Sequence, residues 1–135
     1  MTSILLDTSY IIALEVADDQ HHQDALKHWQ GLRSSLPPLI TTSYIFSEIV
    51  TFFNCRNQHN KAIEAGSRLL SSPSVQLVHV DDALFYDGWM YLKRYKDKSY
   101  SLTDCISFVL MERLKIKKAL TFDKHFLQAG FKKLP

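Results

Sequence analysis

Little in this sequence announces a specialised class, and each shortage excludes something. Only two cysteines occur in 135 residues, Cys55 and Cys105, and neither belongs to a CxxC pair. A zinc knuckle and a dithiol redox motif are therefore absent, and nothing asks for an oxidising compartment. Both cysteines lie in apolar helical runs and read as small core residues. With four glycines in all, there is no Gly-rich loop to cradle a nucleotide phosphate. No serine or cysteine elbow of the hydrolase type occurs. The six histidines show no HExxH spacing. No stretch approaches the roughly 20 apolar residues of a membrane span. The opening Met1-Thr2-Ser3 carries no basic leader, and Asp7 cuts the apolar run Ile4-Leu5-Leu6 short, so no signal peptide is expected. A cytoplasmic chain with no membrane association is the resulting expectation. Net charge is only +2, from 16 basic and 14 acidic residues, too small to argue for a nucleic-acid partner unless the charges are sorted in space.

What is present is an ordinary globular balance, 46% hydrophobic and 22% charged. The length fits one domain, residues 1–135. Such a chain buries roughly two-thirds of its unfolded surface and needs no staples.

Short apolar runs alternate with longer helical patterns. Strands are expected at Ile4–Leu6, Leu39–Thr41, Val75–Val80 and Ala119–Phe122, with a fifth at Phe131–Leu134. Helices are expected over Tyr10–Val16, His21–Ser35 (capped by Asp18 or Asp19), Ser43–His59, Lys61–Ser71, from Asp81 or Asp82 to about Tyr95, and Thr103–Leu114. Pro37-Pro38 and Ser71-Ser72-Pro73-Ser74 are the clear breaks. Strands separated by helices imply a parallel sheet covered on both faces, a three-layer α/β/α architecture. Ligands of such sheets sit beyond the carboxyl ends of the strands.

Four acids draw attention there. Asp7 ends the first strand; it reads either as a site residue or as a cap for the next helix. Asp123 repeats that situation after Phe122, with the same alternative. Glu48 falls among Tyr44, Ile45, Ile49, Phe52 and Phe53 on helical spacing, so a partly dehydrated carboxylate is expected, bound to metal or paired in a buried salt bridge. Asp104 sits in the first turn of its helix and suits the dipole. It also shares a face with Phe108 and Met111, while Ser101 or Thr103 can supply the cap. Carboxylates brought side by side cannot all stay ionised without cations, and oxygen ligands suit Mg²⁺ or Mn²⁺. His125 follows Asp123 and reads either as facing the pocket or, the preferred reading, as a surface or packing residue.

Four stretches in order resemble the PIN-domain family, and within it the VapC-like toxins. They are Ile4-Leu5-Leu6-Asp7-Thr8-Ser9, Ser43 to Thr51 around Glu48, Tyr100 to Ser107 around Asp104, and Ala119 to Phe126 around Asp123. The resemblance spans nearly the whole chain; Ser47 departs from the Asn or Asp that relatives often carry. It implies a five-stranded parallel sheet of order 3-2-1-4-5. It implies that Asp7, Glu48, Asp104 and Asp123 form an acidic metal-binding quartet, with Asp7 and Asp104 the tightest ligands, hydrolysing RNA. It also implies a homodimer and a cognate antitoxin. Thr8, Ser9 and Thr121 are placed to hydrogen-bond the carboxylates.

The basic segment Lys93-Arg94-Tyr95-Lys96-Asp97-Lys98, with Tyr91 nearby, reads either as a phosphate-holding, base-stacking stretch or as a solvated helix end. Lys115, Lys117 and Lys118 read as ordinary surface. Two rival functions remain at this point. One is a phosphoryl-accepting receiver- or phosphatase-like module with Asp7 as nucleophile, although no second acid adjoins Asp7. The other is a catalytically silent PIN-like binding module.

Overall fold

The run Ile4-Leu5-Leu6 is apolar without alternation, and such a strand belongs where both of its faces are covered. In the computed structural model, which describes residues 2–135, it forms β1 (Ile4–Leu6), buried throughout and central to a five-stranded sheet. After it come α1 (Thr8–Glu15), α2 (His22–Leu32) with a 3-10 turn Arg33–Ser35, β2 (Leu39–Thr42), α3 (Ser43–Asn54), α4 (His59–Ser71) and β3 (Val75–Val78). The second half contributes α5 (Asp82–Arg94), α6 (Leu102–Leu114), β4 (Lys118–Leu120), α7 (His125–Gln128) and β5 (Lys132–Leu134). The strand order is β3-β2-β1-β4-β5, the expected 3-2-1-4-5, and every pairing is parallel.

Parallel neighbours require crossovers, and right-handed crossovers fix which face each helix covers. The path β1 to β2 to β3 runs toward one edge, so α1 to α4 share one face. The path from β3 back to β4 and β5 runs the other way and puts α5, α6 and α7 opposite. The packing agrees: α1 meets α2 and α3, and α3 meets α4, whereas α5 meets α6 and α6 meets α7. Glu15 pairs with Lys61 (2.6 Å) and with Arg68, tying α1 to α4. The direction of winding reverses at β1, whose neighbours are β2 and β4. A crevice opens at the carboxyl ends of β1 and β4, and Asp7 and Asp123 follow those two strands.

Several boundaries differ from expectation for local reasons. The helix expected to reach His59 ends at Asn54, and Asn57 takes a left-handed conformation (φ 59°) that turns the chain before α4. The fourth strand stops at Leu120 rather than Phe122, where the chain bends so that Asp123 N–H donates back to Thr121 Oγ1 at 2.9 Å. Val78, not Val80, ends β3; Val80 N–H instead donates to Ser43 Oγ. Asp19 accepts from His21 N–H just ahead of α2, and Asp81, rather than Asp82, caps α5 by accepting from Leu84 N–H at 2.8 Å. Cys105 is buried as expected. Cys55 is not: it lies exposed just past the end of α3.

Gly88 lets α5 approach α6. A Cβ there would meet Ile106 Cγ1 at 2.4 Å and Ile106 Cα at 3.2 Å. Gly88→Ala gains about 0.5–1 kcal/mol of helix preference, but overpacking costs about 1–3 kcal/mol. A net loss of about 1 kcal/mol is expected in urea unfolding; a more stable variant would show that the two helices separate freely.

Candidate active site

Asp7 occupies the residue before α1, where a capping side chain would sit, yet it makes no cap hydrogen bond. Its Oδ2 instead accepts from Thr121 Oγ1 at 2.7 Å and Ser9 Oγ at 2.8 Å. Capping therefore does not account for its position. Asp7 is 5% exposed. Burial raises its pKa to about 6; the Thr121 and Ser9 hydroxyls oppose the rise, and the charges of Asp104 and Asp123 add to it.

Asp104 is held by a capping box. Ser101 Oγ accepts from Asp104 N–H at 3.0 Å, and Asp104 Oδ2 accepts from Ser101 N–H at 3.1 Å. Both readings of Asp104 thus hold: it closes the first turn of α6, and it is buried. Burial pushes its pKa up, with Asp123 adding to the rise; Ser101 and His125 act against it.

Asp123 Oδ1 accepts from His125 N–H at 2.9 Å and so helps start α7. His125 Nδ1 stands 3.2 Å from Asp104 Oδ2 and 3.2 Å from Asp123 Oδ1. His125 therefore faces the pocket, the less favoured of the two readings that the sequence allows. Its tether is Tyr100, edge-on at 5.4 Å between ring centroids. The only sequence clue was position, two residues beyond a strand-end acid.

Glu48 is in the same pocket, but not for the expected reason. The buried stripe of α3 is Ile45, Ile49 and Phe53, and Glu48 lies beside it, exposed. It is neither dehydrated nor in a buried salt bridge; Thr8 Oγ1 donates to its Oε1 at 2.6 Å. Together with Thr8, Ser9 and Ser101, the four acids and His125 line one cavity of about 380 Å³. Within it, Asp104, Asp123 and His125 offer ligand atoms that all lie within 4.8 Å of one another. Asp7 and Glu48 line the cavity without belonging to that trio.

Each acid divides its two oxygens the same way. Asp7 Oδ2, Asp104 Oδ2, Asp123 Oδ1 and Glu48 Oε1 are engaged by protein donors. The other oxygen of each has no hydrogen-bond partner among the described residues. Oriented carboxylates with a free oxygen apiece, plus one imidazole nitrogen, can hold a divalent cation.

The basic segment ends α5 and leads to Ser101. Tyr91, Tyr95 and Tyr100 run beside it, with centroids 4.6 Å apart for the first pair and 6.3 Å for the second. Lys117 and Lys118 sit at the amino end of β4, opposite the pocket. No helix is long and apolar enough to cross a membrane among the described residues.

A doubly wound parallel sheet with carboxylates gathered at its switch point defines a class of strand-end acidic-pocket proteins. Residues 4–132 match the PIN domain, and the chain belongs to that family. It is 36% identical over 129 residues to the 23S rRNA-specific endonuclease VapC20 of Mycobacterium tuberculosis, in strains CDC 1551 / Oshkosh and ATCC 25618 / H37Rv, covering 95% of each chain. The crystal structure of M. tuberculosis VapC20, a sarcin-ricin loop cleaving toxin, superposes with a TM-score of 0.85 at 34% identity, covering 95% of both chains. A toxin-antitoxin complex from Klebsiella pneumoniae shares the fold at a TM-score of 0.66 and 14% identity, covering 98% of this chain and 96% of that one.

Proposed function

We propose that this chain is a Mg²⁺- or Mn²⁺-dependent endoribonuclease and the toxin of a toxin–antitoxin pair. The observation that carries the reading is the shared division of oxygens on Asp7, Glu48, Asp104 and Asp123. One oxygen of each is fixed by the protein, and the other has no hydrogen-bond partner among the described residues of the chain, while all four acids line the cavity. Likeness to VapC20 over 95% of the chain supports RNA as substrate, with a structured ribosomal RNA loop the first to try.

Asp7, Glu48, Asp104 and Asp123 would hold a divalent ion, which would supply Lewis acidity and ease the deprotonation of water for phosphodiester hydrolysis. The protein's part is positioning. Thr121 and Ser9 aim Asp7, the Ser101 capping box aims Asp104, and His125 spans Asp104 and Asp123. Protons compete with the cation at Asp7, whose pKa is raised to about 6. Metal affinity should therefore climb as pH rises through that value.

The test is cleavage of a ribosomal RNA hairpin with Mg²⁺, with Mn²⁺ and with EDTA. Asp104→Asn is expected to lower the rate by about 10³-fold, since merely disturbing a ligand's supporting partner costs about 10–100-fold. Equal rates for variant and wild type would remove the mechanism. A Mn²⁺ titration followed by thermal unfolding separates this reading from a silent binding module, which need not be stabilised.

The partner half of the reading is supported by α5, where Phe85, Tyr86, Trp89 and Met90 are all at least 41% exposed. They fall at i, i+1, i+4 and i+5, on one side of the helix. Such a face invites an antitoxin or a second copy of the chain. Light scattering of wild type and Trp89→Glu tests whether copies associate through it.

A further inference from the structure

The segment Thr121-Phe122-Asp123 is a wall between two cavities. Asp123 lines the acidic pocket, while Phe122 lines a separate cleft of about 790 Å³. The cleft is built from residues at and in α2, from β5 and from Phe122, and the acidic quartet takes no part in it. Its floor holds flat rings: His21 lies parallel to Phe122, with centroids 4.4 Å apart and planes 6° apart, and Tyr10, itself buried and outside the lining, stacks on Phe122 at 5.9 Å and 12°. Two cations reach it: exposed Lys27, and Lys133, whose Nζ is 5.5 Å from the Phe122 centroid. Among the described residues lining it, Asp24 is the only acidic side chain, and Lys133 Nζ also donates to Pro135 O at 2.8 Å. His28 is held by Tyr10, Nδ1 to hydroxyl at 2.8 Å, which leaves Nε2 as the ring nitrogen without a partner among the described residues.

This combination is selective. Cations alone would hold any polyanion, and an apolar floor alone would reject a sugar-phosphate. Flat rings with two amines and an imidazole edge match an unstacked nucleobase joined to a phosphate. The volume suits a nucleotide-sized ligand. Phe122 and Asp123 are adjacent in the chain, so a strand with its scissile phosphate at the acids has its neighbouring nucleotide within reach of the cleft.

We propose that this cleft is a nucleotide subsite, taking an unpaired base of the substrate RNA against His21 and Phe122 and a flanking phosphate at Lys27 and Lys133. The assignment rests on the ribonuclease reading and names where its substrate is gripped outside the acidic pocket. A strand held there is drawn toward the acids from the α2–β5 side. The tyrosine-lined segment Lys93–Lys98 would hold a different part of the strand, or none.

The test uses the full chain and short single-stranded RNAs carrying one 2-aminopurine. Bound in EDTA, the wild type should quench the probe at one position next to the cleavage site, through ring stacking. His21→Ala should abolish that quench and weaken binding about tenfold. Lys27→Ala with Lys133→Ala should raise KM about tenfold with kcat unchanged, the signature of lost ground-state binding. The pair should also lower the salt slope of binding by one to two. Quenching and KM unchanged in these variants would overturn the subsite while leaving the nuclease intact. Stacking in EDTA without cleavage in Mg²⁺ or Mn²⁺ would instead overturn the nuclease reading and leave the subsite standing. A binding footprint confined to Lys93–Lys98 would place the strand elsewhere and refute the proposal.

Discussion

Asp7→Asn is expected to lose RNA cleavage by at least about 10³-fold and yet to give a more stable protein in the absence of divalent ions. The loss follows from removing the metal ligand proposed above, since merely disturbing a ligand's supporting partner costs about 10–100-fold. The gain follows from burial. Asp7 has its pKa raised from 3.8 to about 6, with desolvation the largest cause. The folded state therefore binds a proton more tightly than the unfolded chain does. The stabilisation is complete below about pH 4 and is lost as pH rises through about 6. At neutral pH the buried charge costs about 3 kcal/mol. An asparagine removes that charge and still offers an oxygen to Thr121 or Ser9. After allowing for one weakened hydrogen bond, a rise in Tm of about 5 °C at pH 7.5 in EDTA is expected. The wild type should gain stability as pH is lowered from 7.5 to 5, and the variant should gain less. Excess Mn²⁺ at pH 7.5 should reverse the order, stabilising the wild type alone. If Asp7→Asn is less stable at every pH, Asp7 is a structural anchor and not a strained ligand.

That pairing of lost activity with gained stability separates a site residue from a capping residue, which the sequence could not do for Asp7. A strand-end aspartate before a helix is compatible with either role. What decides is where its oxygens go, and the hydroxyls that take Oδ2 are donated by Ser9 and by Thr121, 114 residues away. Asp104 was legible as both cap partner and buried acid because helical spacing alone sets it over Phe108 and Met111, and both roles coexist. Glu48 was found for an imperfect reason. Ile45, Ile49 and Phe53 form a stripe narrow enough to leave position 48 at its edge, so the residue borders the crevice without being buried. His125 is ranked too low by sequence alone because a lone histidine carries no period and no partner there. Its place depends on α6 and the β4–α7 turn meeting, which is a property of topology. The sheet was more readable than its boundaries. Runs such as Ile4-Leu5-Leu6 must be covered on both faces wherever they fall, whereas the end of β4 or α3 is set by a single turn.

Phe108→Ala is expected to carry the largest stability loss, about 3–5 kcal/mol. Phe108 is fully buried, with its ring centroid 5.0 Å from Phe126, 5.1 Å from Tyr100, and 5.7 Å from each of Tyr91 and Phe131. Rings on several sides cannot close over the gap, so the cavity cost stays near the top of the range. Domains of this size have only about 5–15 kcal/mol in all, which places the variant close to unfolding at 37 °C. The consequence for chemistry runs through Tyr100, which packs on Phe108 and stands edge-on to His125. With Phe108 cut back, Tyr100 gains room, and the imidazole spanning Asp104 and Asp123 loses its backing. Cleavage should therefore fall about tenfold even at 15 °C, where the variant is still folded by circular dichroism. Phe108→Leu fills most of the space and should keep both activity and most of the stability. Full activity in the folded alanine variant would mean that the carboxylates and the capping box hold the site geometry without the aromatic wall behind it.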